Sequence, residues 1–147
     1  MRVSVQLDDF DIGHELGLFR NGKSNTGAIV SFQGIVRNNS EKSLLNMDIE
    51  QYPGMTQKAI SKYVTTAVER WSLNDVLVIH RYGKLFPGDQ IMMVATAAMH
   101  RHDAFQSAEF LMDYLKSRAP FWKKEITKKG YHWVKSVLED ENALERW

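Results

Sequence analysis

Four cationic side chains fall within the nine residues Lys116–Lys124, K-S-R-A-P-F-W-K-K, around a proline and two aromatics. Lys116, Arg118, Lys123 and Lys124 have only Glu125 close by, and Lys128 and Lys129 follow. Like charges repel, so such a cluster is tolerable only in open water or with an anion seated among the charges. Phe121 and Trp122 favour the second condition, because large aromatics bury themselves or pack on a ligand. A lysine held among cations and apolar walls has a lowered pKa, which suits it to act as acid, base or nucleophile near neutrality. Lys116 and Lys123 could equally be solvated charges near a helix C-terminus, where the dipole favours cations. Pro120 breaks the chain between them, so they would approach one pocket from a helix end and from the strand that follows. The residue types suit a small, flat anion.

Two more groups carry chemistry. His100-Arg101-His102-Asp103 lies between a strand and a helix N-terminus, where free backbone N–H groups favour anions and Arg101 adds a two-pronged donor. As a metal site, His100-x-His102 lacks a cysteine or a third ligand at customary spacing, so no metal is expected. Arg37 ends the run S-F-Q-G-I-V-R-N-N, in which Gly34 allows a bulge or a close backbone approach. From the residues alone Arg37 is an anion ligand or a turn residue in water, and Phe32 and Met112 read as core. The nucleotide-binding and hydrolase patterns G-x-x-x-x-G-K-[ST], G-x-G-x-x-G and G-x-S-x-G are absent.

The 147 residues match one ordinary domain, 1–147, large enough to bury a core. A net charge of +1 is too small for the whole surface to be a nucleic-acid platform, so basic function must come from local clustering. The absence of cysteine excludes disulfides, thiolate nucleophiles and zinc–thiolate sites, and suits a cytoplasmic protein. No apolar run suggests a signal sequence or a membrane span.

The elements that must hold these residues follow from periodicity. Val3, Val5 and Leu7 alternate as a strand, Asp11–Phe19 suits a short helix, and 21–27 is a loop. Ala28–Val36 and Met47–Gln51 read as strands. After the Tyr52-Pro53-Gly54-Met55 turn, Thr56 is expected to cap a helix whose stripe is Ile60, Tyr63, Val64, Ala67, Val68 and Trp71. Val76–Tyr82 and Gln90–Ala98 read as strands on either side of Phe86-Pro87-Gly88-Asp89. Asp103 is expected to cap a helix ending near Ala119. Phe121–Ile126 and Tyr131–Lys135 form a closing hairpin, and Glu139–Trp147 a helical turn or docking arm. Two long helices among mainly antiparallel strands make an α+β domain.

Five strings in order, S-F-Q-G-I-V-R-N (31–38), E-Q-Y-P-G-M (50–55), V-I-H-R-Y-G-K-L-F-P-G-D (78–89), H-R-H-D-A-F (100–105) and M-D-Y-L-K-S-R-A-P-F-W-K-K-E (112–125), resemble the large, catalytic subunit of molybdopterin synthase. The likeness runs from about Gly27 to Trp147, with the first 26 residues loosely matched. It implies an α/β-hammerhead fold and a homodimer that binds a small ubiquitin-like sulfur carrier on each subunit, a heterotetramer. The implied reaction is sulfur transfer from the carrier's C-terminal thiocarboxylate to cyclic pyranopterin monophosphate, twice, giving the dithiolene of molybdopterin in molybdenum cofactor biosynthesis. The enzyme would be a sulfurtransferase with no cofactor of its own. The family's essential lysines match Lys116 and Lys123, and its substrate-binding positions match Arg37, His100 and Arg101, with Phe32 and Met112 lining the pocket. The family can also send a basic C-terminal side chain into the neighbouring subunit's site, whereas here Lys135 is followed by Ser136 and Val137. His102 stands where small polar residues are usual. The competing readings are an RNA-binding module that stacks bases on Phe121, Trp122, Tyr131 and Trp133, and a non-catalytic docking domain.

Overall fold

The computed structural model describes residues 1–135 and 138–147. Strand β1 (Arg2–Gln6) and helix α1 (Ile12–Arg20) lead into β2 (Ala28–Ile35) and β3 (Leu44–Gln51). Helix α2 (Met55–Trp71) precedes β4 (Asp75–Arg81), β5 (Gly83–Leu85) and β6 (Gln90–Ala98). Helix α3 (Arg101–Ser117), the hairpin β7 (Phe121–Thr127) and β8 (Gly130–Trp133), α4 (Leu138–Ala143) and a 3-10 turn (Leu144–Arg146) complete it.

Among the described residues the strands form two four-stranded sheets, β1-β4-β6-β2 and β5-β3-β7-β8. Only β1 and β4 pair in parallel, so the α+β expectation of mainly antiparallel strands and two long helices holds. Alternation along β4 sets the layers. Val76 and Val78 face α2 and α3 and pack with Ile60, Val64, Leu111 and Leu115, while Leu77 and Ile79 meet Phe10 and Phe19 on the α1 side. Each such fully buried aliphatic contributes about 1.5–3 kcal/mol. β5 was not legible from the residues, because three residues are too few to show a period. It follows β4 almost without a break and pairs with β3, which ties the second sheet to the first.

Three boundaries differ from expectation. Helix α2 starts at Met55 with Gly54 at its N-cap, φ +76°, a conformation that glycine alone adopts cheaply. Thr56 is therefore inside the helix rather than capping it. At α3 the N-cap is His100, with Asp103 in the first turn, where its charge complements the dipole. The helix ends at Ser117, two residues before Ala119, because Arg118 N–H and Ala119 N–H both turn back to the Tyr114 carbonyl. The C-terminal segment docks: Arg146 pairs with Glu109 and Asp113, and Trp147 packs against Trp71 and Phe110.

Candidate active site

Lys116 stands in the last turn of α3 and Lys123 in β7, on either side of the Pro120 corner. That corner is pinned by Thr56. Its buried hydroxyl accepts a hydrogen bond from Tyr52 N–H (3.0 Å) and donates one to the Pro120 carbonyl (3.1 Å), fastening the start of α2 to the α3–β7 turn. Side chains alternate along β7, so Phe121 and Lys123 share the inner face, where Lys123 stands opposite buried Ile49. Trp122 and Lys124 point the other way.

The inner face is where the electrostatics change. Burial, and then the nearby charge of Lys116, push Lys123 down to about 8, against the opposing pull of Asp140 on α4. Among the described residues the lysine ion pairs belong to Lys23 and Lys129, so no carboxylate neutralises Lys116 or Lys123 by direct contact. The geometry supplies an uncompensated cationic pair, one member of which sits close to proton-exchange range at neutral pH.

One residue of this site escaped sequence reasoning. His80, on β4, is 2% exposed and lies in plane-to-plane contact with Phe121, centroids 3.8 Å apart and planes at 17°. Its Nδ1 is 2.8 Å from the Arg81 carbonyl. Burial, reinforced by the charge of Lys123, lowers its pKa to about 3, so the ring is neutral. The available signal was a histidine at a position of β4 that alternates with Val76 and Val78, in the string V-L-V-I-H.

The other expected residues divide between two places. Strand β2 runs antiparallel to β6, and β6 antiparallel to β4, so the end of β2, the end of β4 and the end of α3 lie at one edge of the sheet. Arg37 follows β2 there, exposed, beside the Phe86–Asp89 turn that Val36 holds through hydrogen bonds with Asp89 and Gly88. His100 and Arg101 are exposed at the opposite end of α3, and His102 with them. Fifteen residues of helix separate Arg101 from Lys116, roughly 22 Å at 1.5 Å per residue. One chain therefore groups Arg37 with the lysines and leaves His100-Arg101 far away.

Met112 is half-buried on α3 against the main core, as expected for either a core or a wall residue. Phe32 is not core: it is 41% exposed, because β2 is the outermost strand of its sheet and no neighbour covers that side. The bulge expected near Gly34 is present, with the register shifting between Gly34 and Ile35. A Cβ on Gly34 would lie 3.0 Å from Met92 Cγ, so any larger residue there requires the Met92 side chain to give by a few tenths of an ångström. Lys135 is exposed, and Ser136 and Val137, on which its comparison with the family turns, lie outside the described residues.

Comparison with other proteins decides the family. The model described as "MoaE protein" matches residues 5–118. The chain belongs to the MoaE family. It is 56% identical to the molybdopterin synthase catalytic subunit of Cereibacter sphaeroides over the full length of both chains. It is 43% identical to that of Escherichia coli, over 99% of this chain and 97% of that one. Among solved structures, a molybdopterin biosynthesis MoaE protein from Burkholderia ambifaria superposes with a TM-score of 0.84 at 48% identity, covering 99% of this chain and 96% of the other. Molybdopterin synthase from Staphylococcus aureus superposes at 0.82 with 26% identity, covering 90% and 96%. Full-length alignment brings the first 26 residues into the family likeness too; they supply β1 and α1, which close the sheet's second face. These relatives support a role in molybdopterin synthesis and not the RNA-binding alternative, although the exposed aromatics which that alternative expects are present, with Trp122, Tyr131 and Trp133 40%, 69% and 46% exposed. No helix among the described residues is long and apolar enough to cross a membrane, and no group of three or more His, Asp and Glu is placed to hold a metal.

Proposed function

We propose that this chain is the catalytic subunit of a molybdopterin synthase, acting as one domain over 1–147 in the cytoplasm. It transfers sulfur from the thiocarboxylate terminus of a small ubiquitin-like carrier to cyclic pyranopterin monophosphate. The observation that carries the reading is the Lys116–Lys123 pair, uncompensated by any direct ion pair, with Lys123 partly desolvated on the inner face of β7 and Lys116 exposed at the end of α3. Two anions must converge, a thiocarboxylate and a cyclic phosphate, and an empty site rich in positive charge is stabilised by their arrival. In this reading Lys116 holds the negative charge of the incoming tail. Lys123, titrating near 8, gives a proton to the oxygen that leaves as sulfur bonds to carbon. The carrier's acyl–sulfur bond is then cleaved by water, releasing its terminus as a carboxylate. A second carrier supplies the second sulfur. Phe32 and Met112 form the apolar wall for the pterin.

A homodimer resolves the placement of His100 and Arg101. An isologous two-fold axis beside β2 and α3 would run the two α3 helices in opposite directions. His100 and Arg101 of one copy would then come beside Lys116, Lys123 and Arg37 of the other. The exposed edge of β2 and exposed Phe32 and Phe105 on that flank support such a surface. With a carrier on each copy the assembly is a heterotetramer.

The test is reconstitution of the chain with a thiocarboxylated carrier and the pterin precursor, reading dithiolene formation in a single turnover. Conversion that requires both Lys116 and Lys123 is the expected result. Wild-type rates in both alanine variants would overturn the reading.

A further inference from the structure

His80 occupies a position where β4 otherwise places valine, on the face shared with Val76 and Val78. Burying an imidazole there costs free energy unless both ring nitrogens find partners. One does: the Arg81 carbonyl can only accept, so Nδ1 carries the proton. Nε2 then bears a lone pair that makes no hydrogen bond among the described residues, and it is not one of the fully sealed unpartnered atoms, so a water can reach it. The stack on Phe121 fixes the plane of the ring, and a half-turn within that plane would lose the Nδ1 bond to the Arg81 carbonyl. Two residues along the same face of β7 stands Lys123, whose ammonium likewise has no ion-pair partner among the described residues. The charged groups acting on this pair are Lys116 from α3 and Asp140 from α4.

We infer that His80 is a positioning residue for Lys123: its Nε2 lone pair accepts a hydrogen bond from the Lys123 ammonium, directly or through one water, and fixes where that ammonium points. The inference rests on the proposed catalytic role of Lys123. A neutral acceptor suits the place better than a carboxylate would. It orients the ammonium without cancelling the charge that draws the anionic tail, and it raises the affinity of Lys123 for its proton less than an ion pair would. Because protonation of His80 is held far below neutrality, the acceptor stays available across the whole working range.

Histidine-labelled ¹⁵N spectra of the intact dimer, recorded from pH 5 to 10, test this without activity. The expected result is a neutral His80 with the proton on Nδ1 and an Nε2 resonance that moves as Lys123 titrates near pH 8, a movement lost in Lys123→Met. A proton on Nε2, or an Nε2 resonance indifferent to pH or to Lys123→Met, overturns the inference. In the second arm His80→Phe keeps the stack but removes the acceptor. Single-turnover transfer should slow at least tenfold with the precursor KM unchanged, and His80→Gln should recover part of the rate. Wild-type rate in a folded His80→Phe also overturns it. Should His80→Phe fail to fold, the spectra decide. Intact coupling of His80 to Lys123, combined with full activity of Lys123→Ala, would sink the catalytic reading and leave the contact standing.

Discussion

Helix α3 carries basic residues at both ends, and the two ends treat them differently. At the N-terminal end His100, Arg101 and His102 are exposed, on the first turn of a helix that begins directly after β6. At the C-terminal end Lys116 meets a strand whose inner face is closed by Phe121, Ile49 and buried His80, and there Lys123 loses much of its affinity for a proton. Exposure keeps an arginine charged and free to reach outward. Burial turns a lysine into a group that can exchange its proton near neutrality. In the proposed reaction similar cations would serve binding at one end and chemistry at the other, and a second copy of the chain is what would bring them together.

The largest effect expected is at the C-terminal end of α3. Lys116→Ala or Lys123→Ala should reduce single-turnover conversion by roughly 10³-fold or more with the fold and dimer intact, as for loss of a proton-transfer or anion-stabilising group. Circular dichroism and size-exclusion chromatography establish the intact state, and a rate within threefold of wild type would remove the contrast between the ends.

Mixing tests whether the ends meet. At precursor concentrations far too low to fill the weakened Arg101→Ala site, equal amounts of Arg101→Ala and Lys116→Ala chains, allowed to exchange subunits, should reach roughly a quarter of wild-type activity, since half the dimers carry one intact site. No recovery would place Arg101 outside the site of the neighbouring copy.

Binding separates the ends further. Arg37→Ala and Arg101→Ala should each weaken precursor affinity by about 1–3 kcal/mol, the value of a charged hydrogen bond to phosphate, with a smaller effect on the rate once the precursor is bound. Isothermal titration measures this, and unchanged affinity would exclude the residue from the anion site.

Stability should move the opposite way from activity at the buried end. The folded pKa of Lys123 lies below its unfolded value, so at neutral pH the unfolded state binds its proton more tightly and folding is penalised. Lys123→Met should therefore raise stability by about 1–3 kcal/mol at pH 7 while abolishing turnover, measured by denaturant titration. A destabilised Lys123→Met would mean that the lysine has a folded-state partner worth more than its burial costs.

The last effect appears only in acid. His80 folds neutral, with a pKa near 3 against an unfolded value near 6.5, so its contribution is complete above about pH 6.5 and is lost as pH falls toward 3. Stability should decline by about 1.4 kcal/mol per pH unit across that window from this one group, and His80→Gln should flatten the slope by that amount. An unaltered slope would mean that His80 is protonated in the folded chain.

Much of the fold was legible because the signals were long. The seventeen-residue stripes of α2 and α3 and the nine-residue, nearly continuous apolar run of β6 are long enough that one atypical residue does not hide them. Helix ends were less legible: at α2 the side chain that suits a cap, Thr56, was recruited by a turn 64 residues away. The candidate site was legible only in part. Lys116 and Lys123 stood out because charge was crowded into a short stretch around a proline. His80 did not, since a lone histidine inside an apolar run looks the same whether it is a satisfied core residue or part of a site. Phe32 read as core because an alternating strand does not reveal that it is the last in its sheet.

The amino-acid sequence by itself determined the elements, the corner at Pro120 and the presence of two cationic clusters, because periodicity, proline geometry and charge are local properties of the chain. Only the tertiary structure decided that His80 at the end of β4 meets Phe121 of the other sheet, and that Lys123 beside them sits where water is scarce. It alone decided, too, that His100 and Arg101 stand a helix length away from the lysines. Proton affinity and distance depend on which surfaces the folded chain brings together, and residues far apart in sequence set both.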